Sequence, residues 1–261
     1  MLLKNKIAVV YGAGGAVGGA VSTAFAKEGA IVYMIGRAKN KLDKVAKKIN
    51  AEGYKVFTHE LDAKDKEAVT KQLDEVMNHH RRIDLSFNLV GMDDMHGIPL
   101  NEISSTDFIS PVINALTAHF VTAVAAAEYM KKNKSGVIMA LTANAAAKPY
   151  ENIGGFGVAC AGIESLCRQM ALEFGRDGIR VICLRSAGSP DSPGVDEVFK
   201  LHAQNAGVTR EEFEKNFAER TMLKRLPKLN EIANAAVLMA SDKASAATAA
   251  VINLTCGELA D

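Results

Sequence analysis

Short, almost unbroken apolar runs recur along the chain at 6–11, 30–35, 55–60, 84–88, 136–141, 179–184 and 250–254. A strand with one wet face alternates apolar and polar residues. Runs without that alternation predict strands covered on both faces. The longer segments between them, 16–28, 41–52, 64–78, 106–132, 153–176 and 230–241, repeat their apolar residues at helical spacing. Strand and helix in strict alternation predict a parallel sheet, and right-handed crossovers wind it doubly. The expected fold is a single-domain, doubly wound Rossmann-type α/β fold over 1–261, with a seven-stranded parallel sheet and helices on both faces.

The segment 189–225 breaks the rhythm. It opens with Ser189-Pro190-Asp191-Ser192-Pro193-Gly194 and continues with charged helical spacing through Glu211, Glu212, Glu214, Lys215 and Arg220. Its position suits a substrate lid, and a solvated insertion helix gives the same pattern.

Composition narrows the partners. Of 261 residues 48% are apolar and the formal charge is +1, so no broad field points to nucleic acid, a membrane surface or a polyanion. A small molecule or a second copy of the chain is the expected partner. Residues 1–6 lead directly into the first strand without a signal-peptide pattern, and no run of 18 apolar residues offers a span; the expected location is cytoplasmic. Cys160, Cys167, Cys183 and Cys256 show no C-x-x-C pairing and read as reduced, mostly buried apolar residues. The pair His79-His80 reads as a helix end, and no group has the spacing of a metal site.

After the first strand comes Gly12-Ala13-Gly14-Gly15-Ala16-Val17-Gly18-Gly19, followed at once by helical spacing. Alone, such a run is only a tight turn. Between the first strand and first helix of a β-α chain it predicts a pyrophosphate cradle, with bare backbone N–H groups at the helix N-terminus. The second strand ends in Gly36-Arg37. An NAD site ordinarily places an acid there for the ribose 2′-hydroxyl, whereas Arg37 suits a 2′-phosphate. NADP(H) is therefore expected over NAD(H), with Lys39 or Lys41 adding charge, unless Arg37 is an ordinary surface residue.

With these residues in place, the whole chain resembles the short-chain dehydrogenase/reductase family. Its glycine run is similar to T-G-x-x-x-G-x-G, with Tyr11 for the Thr and Ala16 for the middle Gly. Leu61-Asp62 resembles the acid that contacts adenine, Asn88-Leu89-Val90-Gly91 the N-N-A-G loop, and Asn114 the family's helix asparagine. Met239-Ala240-Ser241-Asp242 and Thr255-Cys256-Gly257 resemble its C-terminal L-A-S-D and D-G-G segments. Asp62 also reads as a helix cap, and Asn88 and Asn114 as ties between elements.

The resemblance implies a Tyr-x-x-x-Lys pair and an upstream Ser as catalysts. Here Phe156 and Cys160 stand at the pair and Ala143 at the serine. Neither Gly154 nor Gly157, four and seven residues after Tyr150, restores the lysine. General acid–base catalysis contributes roughly 10² to 10⁴ in rate, so simple ketones are expected to be poor substrates. An iminium or a polarised alkene demands less of an acid. Thr142, Tyr150, His96, Asp93, Asp94 and Cys160 are the alternative sources of a proton, and Arg185, before Ala187-Gly188 in place of the family's Pro-Gly, is a candidate ligand for an anionic substrate or half of an ion pair.

Three functions stay open: an NADP(H)-dependent oxidoreductase acting on an activated substrate, a non-redox enzyme reusing the pocket, and a silent dinucleotide-binding sensor or pseudoenzyme. A homo-oligomer, tetramer or dimer, is expected through the Ala-rich helices 106–132 and 153–176, which include Ala118, Ala125 and Ala126.

Overall fold

The computed structural model describes residues 1–260 as one sheet flanked by helices. Seven parallel strands, β1 (Ile7–Tyr11), β2 (Ile31–Gly36), β3 (Val56–Glu60), β4 (Leu85–Asn88), β5 (Gly136–Ala143), β6 (Ile179–Ser186) and β7 (Ala250–Leu254), lie in the order β3-β2-β1-β4-β5-β6-β7. The expected seven-stranded Rossmann-type sheet is what the chain forms. The helices are α1 (Ala16–Lys27), α2 (Lys39–Ala51), α3 (Lys66–His80), α4 (Ser105–Met130), α5 (Phe156–Phe174), α6 (Pro193–Ala206), α7 (Arg210–Glu219) and α8 (Leu229–Ala240).

Alternate residues of one strand feed opposite cores. Val9 and Tyr11 join Leu73, Met130 and Ile163 on one face, while Ala8 and Val10 join Phe25, Leu42 and Ala236 on the other. Both sets are apolar because both faces are covered, hence the unbroken runs in the sequence. Strand order reverses at β1, which pairs with β2 through Tyr11↔Ile35 and with β4 through Tyr11↔Asn88. Chain connections leave in opposite directions from this point, opening a crevice beyond the carboxyl ends of the strands.

Helix ends follow local chemistry. Asp65 caps α3 by accepting from the N–H groups of Glu67 and Ala68, each at 3.0 Å. Thr209 and Glu212 form a capping box on α7. Residues His79 and His80 close α3, as their spacing indicated.

Several boundaries move. β5 and β6 run on to Ala143 and Ser186, because their ladder continues through Thr142↔Arg185 and Ala143↔Ser186. The fifth helix starts at Phe156 rather than 153: Gly154 is left-handed (φ +51°), and a Cβ on Gly155 would lie 1.9 Å from the Phe108 carbonyl oxygen. The segment 189–225 contains a helical pair, α6 and α7, joined by Phe199, Phe213 and Phe217. One helical stretch, Ser105–Asn133, is long and apolar enough by itself to cross a bilayer, and here α4 packs between α3 and α5.

Candidate active site

The glycine run is shaped by close approach of backbone to backbone. Gly12 is left-handed (φ +75°), and a Cβ there would sit 2.3 Å from the Leu89 carbonyl oxygen. At Gly18 the same atom would fall 2.3 Å from the Gly12 carbonyl oxygen. Gly15 is the N-cap of α1, with no side chain capping it and no acid in the first turn, so Ala16 and Val17 open a helix whose N-terminus lacks an internal anion. Such an end attracts a phosphate.

This turn borders a cleft of about 270 Å³, lined by Tyr11, Gly12, Gly14, Gly15, Ile35, Gly36, Arg37, Ala38, Lys41, Leu42, Leu61, Asp62, Ala63, Leu89, Val90 and Gly91. Residues from four separate parts of the sequence thus meet at the reversal point. The carboxylate of Asp62 accepts from the Lys64 N–H at 2.9 Å, which fixes its loop at the cleft wall. The exposed Arg37 and Lys41 lie at the β2 end, and Arg37 reaches Asp93 at 3.5 Å. Lys39 is absent from that lining and is bonded to Asp43 at 2.6 Å. The bare cradle and the uncapped helix suit the pyrophosphate of a nicotinamide dinucleotide.

Asn88 and Asn114 serve as ties. Asn88 donates to Thr122 Oγ1 at 3.0 Å and accepts from the Val90 N–H at 3.0 Å, holding the end of β4 to α4. The Asn114 carboxamide accepts from Lys64 Nζ at 2.9 Å and donates to Ser110 Oγ at 3.3 Å. Those bonds tie α4 to the loop before α3.

The positions of the missing catalysts do come together. Phe156 and Cys160 share one face of α5, and the Cys160 thiol bonds the backbone at Ala143. Burial pushes that thiol up to about 12, so it stays protonated at neutral pH. One turn further, Glu164 lies buried beneath Cys160. Arg185 meets it with two bonds, Nε to Oε1 at 2.8 Å and Nη2 to Oε2 at 2.7 Å, and the Thr142 hydroxyl donates to Oε1 at 3.0 Å. Thr142 and Arg185 are 4% and 6% exposed. Of the two alternatives for Arg185, the structure shows the interior ion pair, and the Thr142 hydroxyl is bonded to the same carboxylate. A buried carboxylate needs such donors.

Tyr150 belongs to a different group. Its hydroxyl donates to Glu258 Oε1 and accepts from Asn144 Nδ2, both at 2.6 Å, while Lys148 Nζ stands 3.1 Å from the same carboxylate. The Glu258 side chain is fully buried. Desolvation and this carboxylate raise the phenol's pKa, opposite to the lowering that a proton-donating tyrosine requires. These bonds make Tyr150 a fastener between the β5–α5 loop and the C-terminal segment.

One assembly is only half legible in the sequence. His96, in the loop after β4, bonds Asp94 Oδ2 through Nε2 at 2.6 Å and meets His202 Nε2 through Nδ1 at 3.1 Å. Its ring lies 5.4 Å from that of Phe156. Asp94 and His96 stand among the sequence candidates; His202 on α6, 106 residues away, does not, and the lid pattern gives no sign of it. Glu164 also escapes the sequence reading, although a glutamate at i+8 from Phe156 on an apolar helix face is a signal of buried pairing. Among the described residues no group of three or more His, Cys, Asp or Glu is arranged to hold a metal, and all four cysteines are free thiols, three of them buried.

A doubly wound sheet with this glycine cradle defines a nicotinamide-dinucleotide-binding oxidoreductase fold. The sequence pattern of the family described as enoyl-(acyl carrier protein) reductase matches residues 12–258, and the chain belongs to the short-chain dehydrogenase/reductase family. It is similar to the uncharacterized oxidoreductase YxbG of Bacillus subtilis, 28% identical over 99% of this chain and 92% of that protein. Among solved structures, NAD⁺-bound xylitol dehydrogenase superposes with a TM-score of 0.92 at 21% identity, covering 98% of this chain and 100% of that one. Carveol dehydrogenase of Mycobacterium avium, in complex with NAD, gives 0.90 at 20% identity, with 98% of each chain covered. Likeness at that identity establishes the fold alone.

Proposed function

We propose that the chain is an NADP(H)-dependent oxidoreductase acting on an activated acceptor, an iminium or an enone, without the family's Ser-Tyr-Lys chemistry. The observation that carries the reading is the presence of both Arg37 and Lys41 at the β2 end of the cleft, where β2 ends in Gly36-Arg37 and not in an acid for a 2′-hydroxyl. The turn from Gly12 to Gly18 would hold the pyrophosphate, Asp62 would face the adenine, and the two cations would hold the 2′-phosphate. Bound NADPH supplies a hydride; the protein's part is to position the acceptor and exclude water beneath α6 and α7. Phe156, Cys160 and Ala143 leave the reacting end apolar, which favours an acceptor that is already polarised.

Calorimetric titration with NADPH and NADH tests the cofactor, and a panel of ketones, imines and enones followed by NADPH absorbance tests the chemistry. Tighter NADPH binding with turnover confined to activated acceptors is expected. Equal or tighter NADH binding refutes the cofactor assignment. NADPH binding without turnover of any acceptor replaces the oxidoreductase reading with that of a silent dinucleotide-binding protein.

The same reading includes a homo-oligomer, but not through Ala118 and Ala126, which are spent in the chain's own core at 1% and 0% exposure. Ile109, Ile113 and Phe120 form an exposed apolar stripe on α4, and Val158 and Leu172 are exposed on α5. Water-facing residues of this kind along two neighbouring helices suit a second copy of the chain.

A further inference from the structure

The loop after β4 is held more firmly than a surface connection needs. Gly97 is left-handed (φ +85°), its N–H donates to the Asn152 carbonyl at 2.7 Å, and its carbonyl accepts from Asn205 Nδ2 at 3.2 Å. A Cβ on Gly97 would lie 3.1 Å from Leu201. Leu201, His202 and Asn205 are all on α6, so the lid helix docks directly onto this loop. Between these anchors His96 is only 9% exposed, with Asp94 at 22%.

Both ring nitrogens of His96 are engaged, and by unlike partners. A carboxylate at 2.6 Å holds Nε2, which fixes the ring. A second imidazole occupies Nδ1, with the two rings nearly perpendicular at 84°. His202 in turn stacks on Phe213 of α7, 6.0 Å between ring centres. Phe156, at the position where the family's proton donor would stand, forms the wall beside His96. The groups facing the imidazole are therefore Asp94 from its own loop, His202 from α6 and, from α5, the apolar Phe156, with the neutral Cys160 thiol a turn beyond.

We infer that Asp94 and His96 form an acid–base dyad whose Nδ1 hands a proton to substrate, and that His202 Nε2 holds the place of the acceptor oxygen until substrate displaces it. The inference rests on the proposed NADP(H)-dependent reading of the site. Asp94 orients the ring and stabilises the imidazolium, as a carboxylate behind a catalytic histidine does. With an enone, NADPH would supply a hydride to the β-carbon and be left as NADP⁺, while the Nδ1 proton of His96 would go to the carbonyl oxygen. The resulting enol would tautomerise to the saturated carbonyl, and solvent would reprotonate His96. Because His202 is carried by the lid, binding at Nδ1 and movement of α6 are one event.

The test works whichever acceptor is the substrate. The histidine rings of wild type, His96→Gln and Asp94→Asn are titrated by NMR in complexes with NADP⁺ and NADPH, His96→Gln serving to assign the resonance. A ring facing the nicotinamide must bind protons at least about threefold more weakly beside the cationic NADP⁺ than beside NADPH, the effect of a unit charge within about 7 Å even at the permittivity of water. Asp94→Asn must weaken proton binding at His96 by about threefold or more in both complexes. For any acceptor that wild type turns over, His96→Gln must lower kcat by about 10² or more and change the pH profile.

Equal His96 midpoints in the two complexes overturn the dyad while leaving the cofactor reading intact. A midpoint unmoved by Asp94→Asn, or an unchanged pH profile in His96→Gln, also overturns it. Failure of both nucleotides to bind in calorimetry overturns the cofactor reading, and the dyad with it.

Discussion

Replacing Arg37 by alanine isolates the phosphate preference from the rest of the cofactor site. The guanidinium stands at the β2 end of the cleft, 56% exposed, 3.5 Å from an Asp93 that is 54% exposed. Two terms decide the magnitude. A charge-assisted bond to a 2′-phosphate contributes about 1.5–3 kcal/mol. Breaking the exposed Arg37–Asp93 pair to make that bond costs about 0–1 kcal/mol. The phosphate term wins, leaving about 0.5–3 kcal/mol, so Arg37→Ala is expected to weaken NADPH roughly 2- to 160-fold. NADH has no 2′-phosphate and should change by less than about twofold, apart from screening differences that low salt minimises. Asp93→Asn removes the competing partner and should tighten NADPH by up to about fivefold. Isothermal titration of both nucleotides against the three proteins gives the answer. Equal losses for NADPH and NADH in Arg37→Ala would show that Arg37 does not read the phosphate.

Arg185→Met strands the buried Glu164 carboxylate and should cost about 3–5 kcal/mol, lowering Tm by roughly 6–20 °C; Arg185→Met with Glu164→Leu should recover most of that, and a double variant no better than the single one counts against the pair. Burial pushes the His119 imidazole down to about 4, its Nδ1 donating to the Ala115 carbonyl at 2.8 Å. The unfolded chain takes up this proton near pH 6.5 and the folded chain does not, so stability is complete above about 6.5 and falls as pH drops toward 4, by about 2 kcal/mol at pH 5. Urea midpoints at pH 7.5 and 5 should show this loss in wild type and not in His119→Gln; parallel losses would place the acid sensitivity elsewhere. Sedimentation should find wild type as a dimer or tetramer at micromolar concentration and Ile113→Glu with Phe120→Glu as a monomer that still binds NADPH, whereas a monomeric wild type removes the oligomer.

The order of elements was fixed by local pattern, since a strand buried on both faces must be apolar throughout and the helices between strands carry their own period. For the same reason the glycine cradle was readable: Gly12 and Gly18 are set by steric demands of a turn that begins and ends within a few residues. The loss of Tyr, Lys and Ser at Phe156, Cys160 and Ala143 was likewise written in the chain. What the pattern left open was the partner of each polar side chain. Tyr150, Thr142 and Arg185 looked available as isolated letters, but their engagement by Glu258 and Glu164 depends on contacts across 108, 22 and 21 residues. His96 gained its contact in the same way, from a helix of the 189–225 segment that packs against the loop after β4. Periodicity records how far each residue is buried, a property of its own element. Which charge, ring or hydroxyl it meets is set by the packing of elements remote in sequence, and only the tertiary structure decides it.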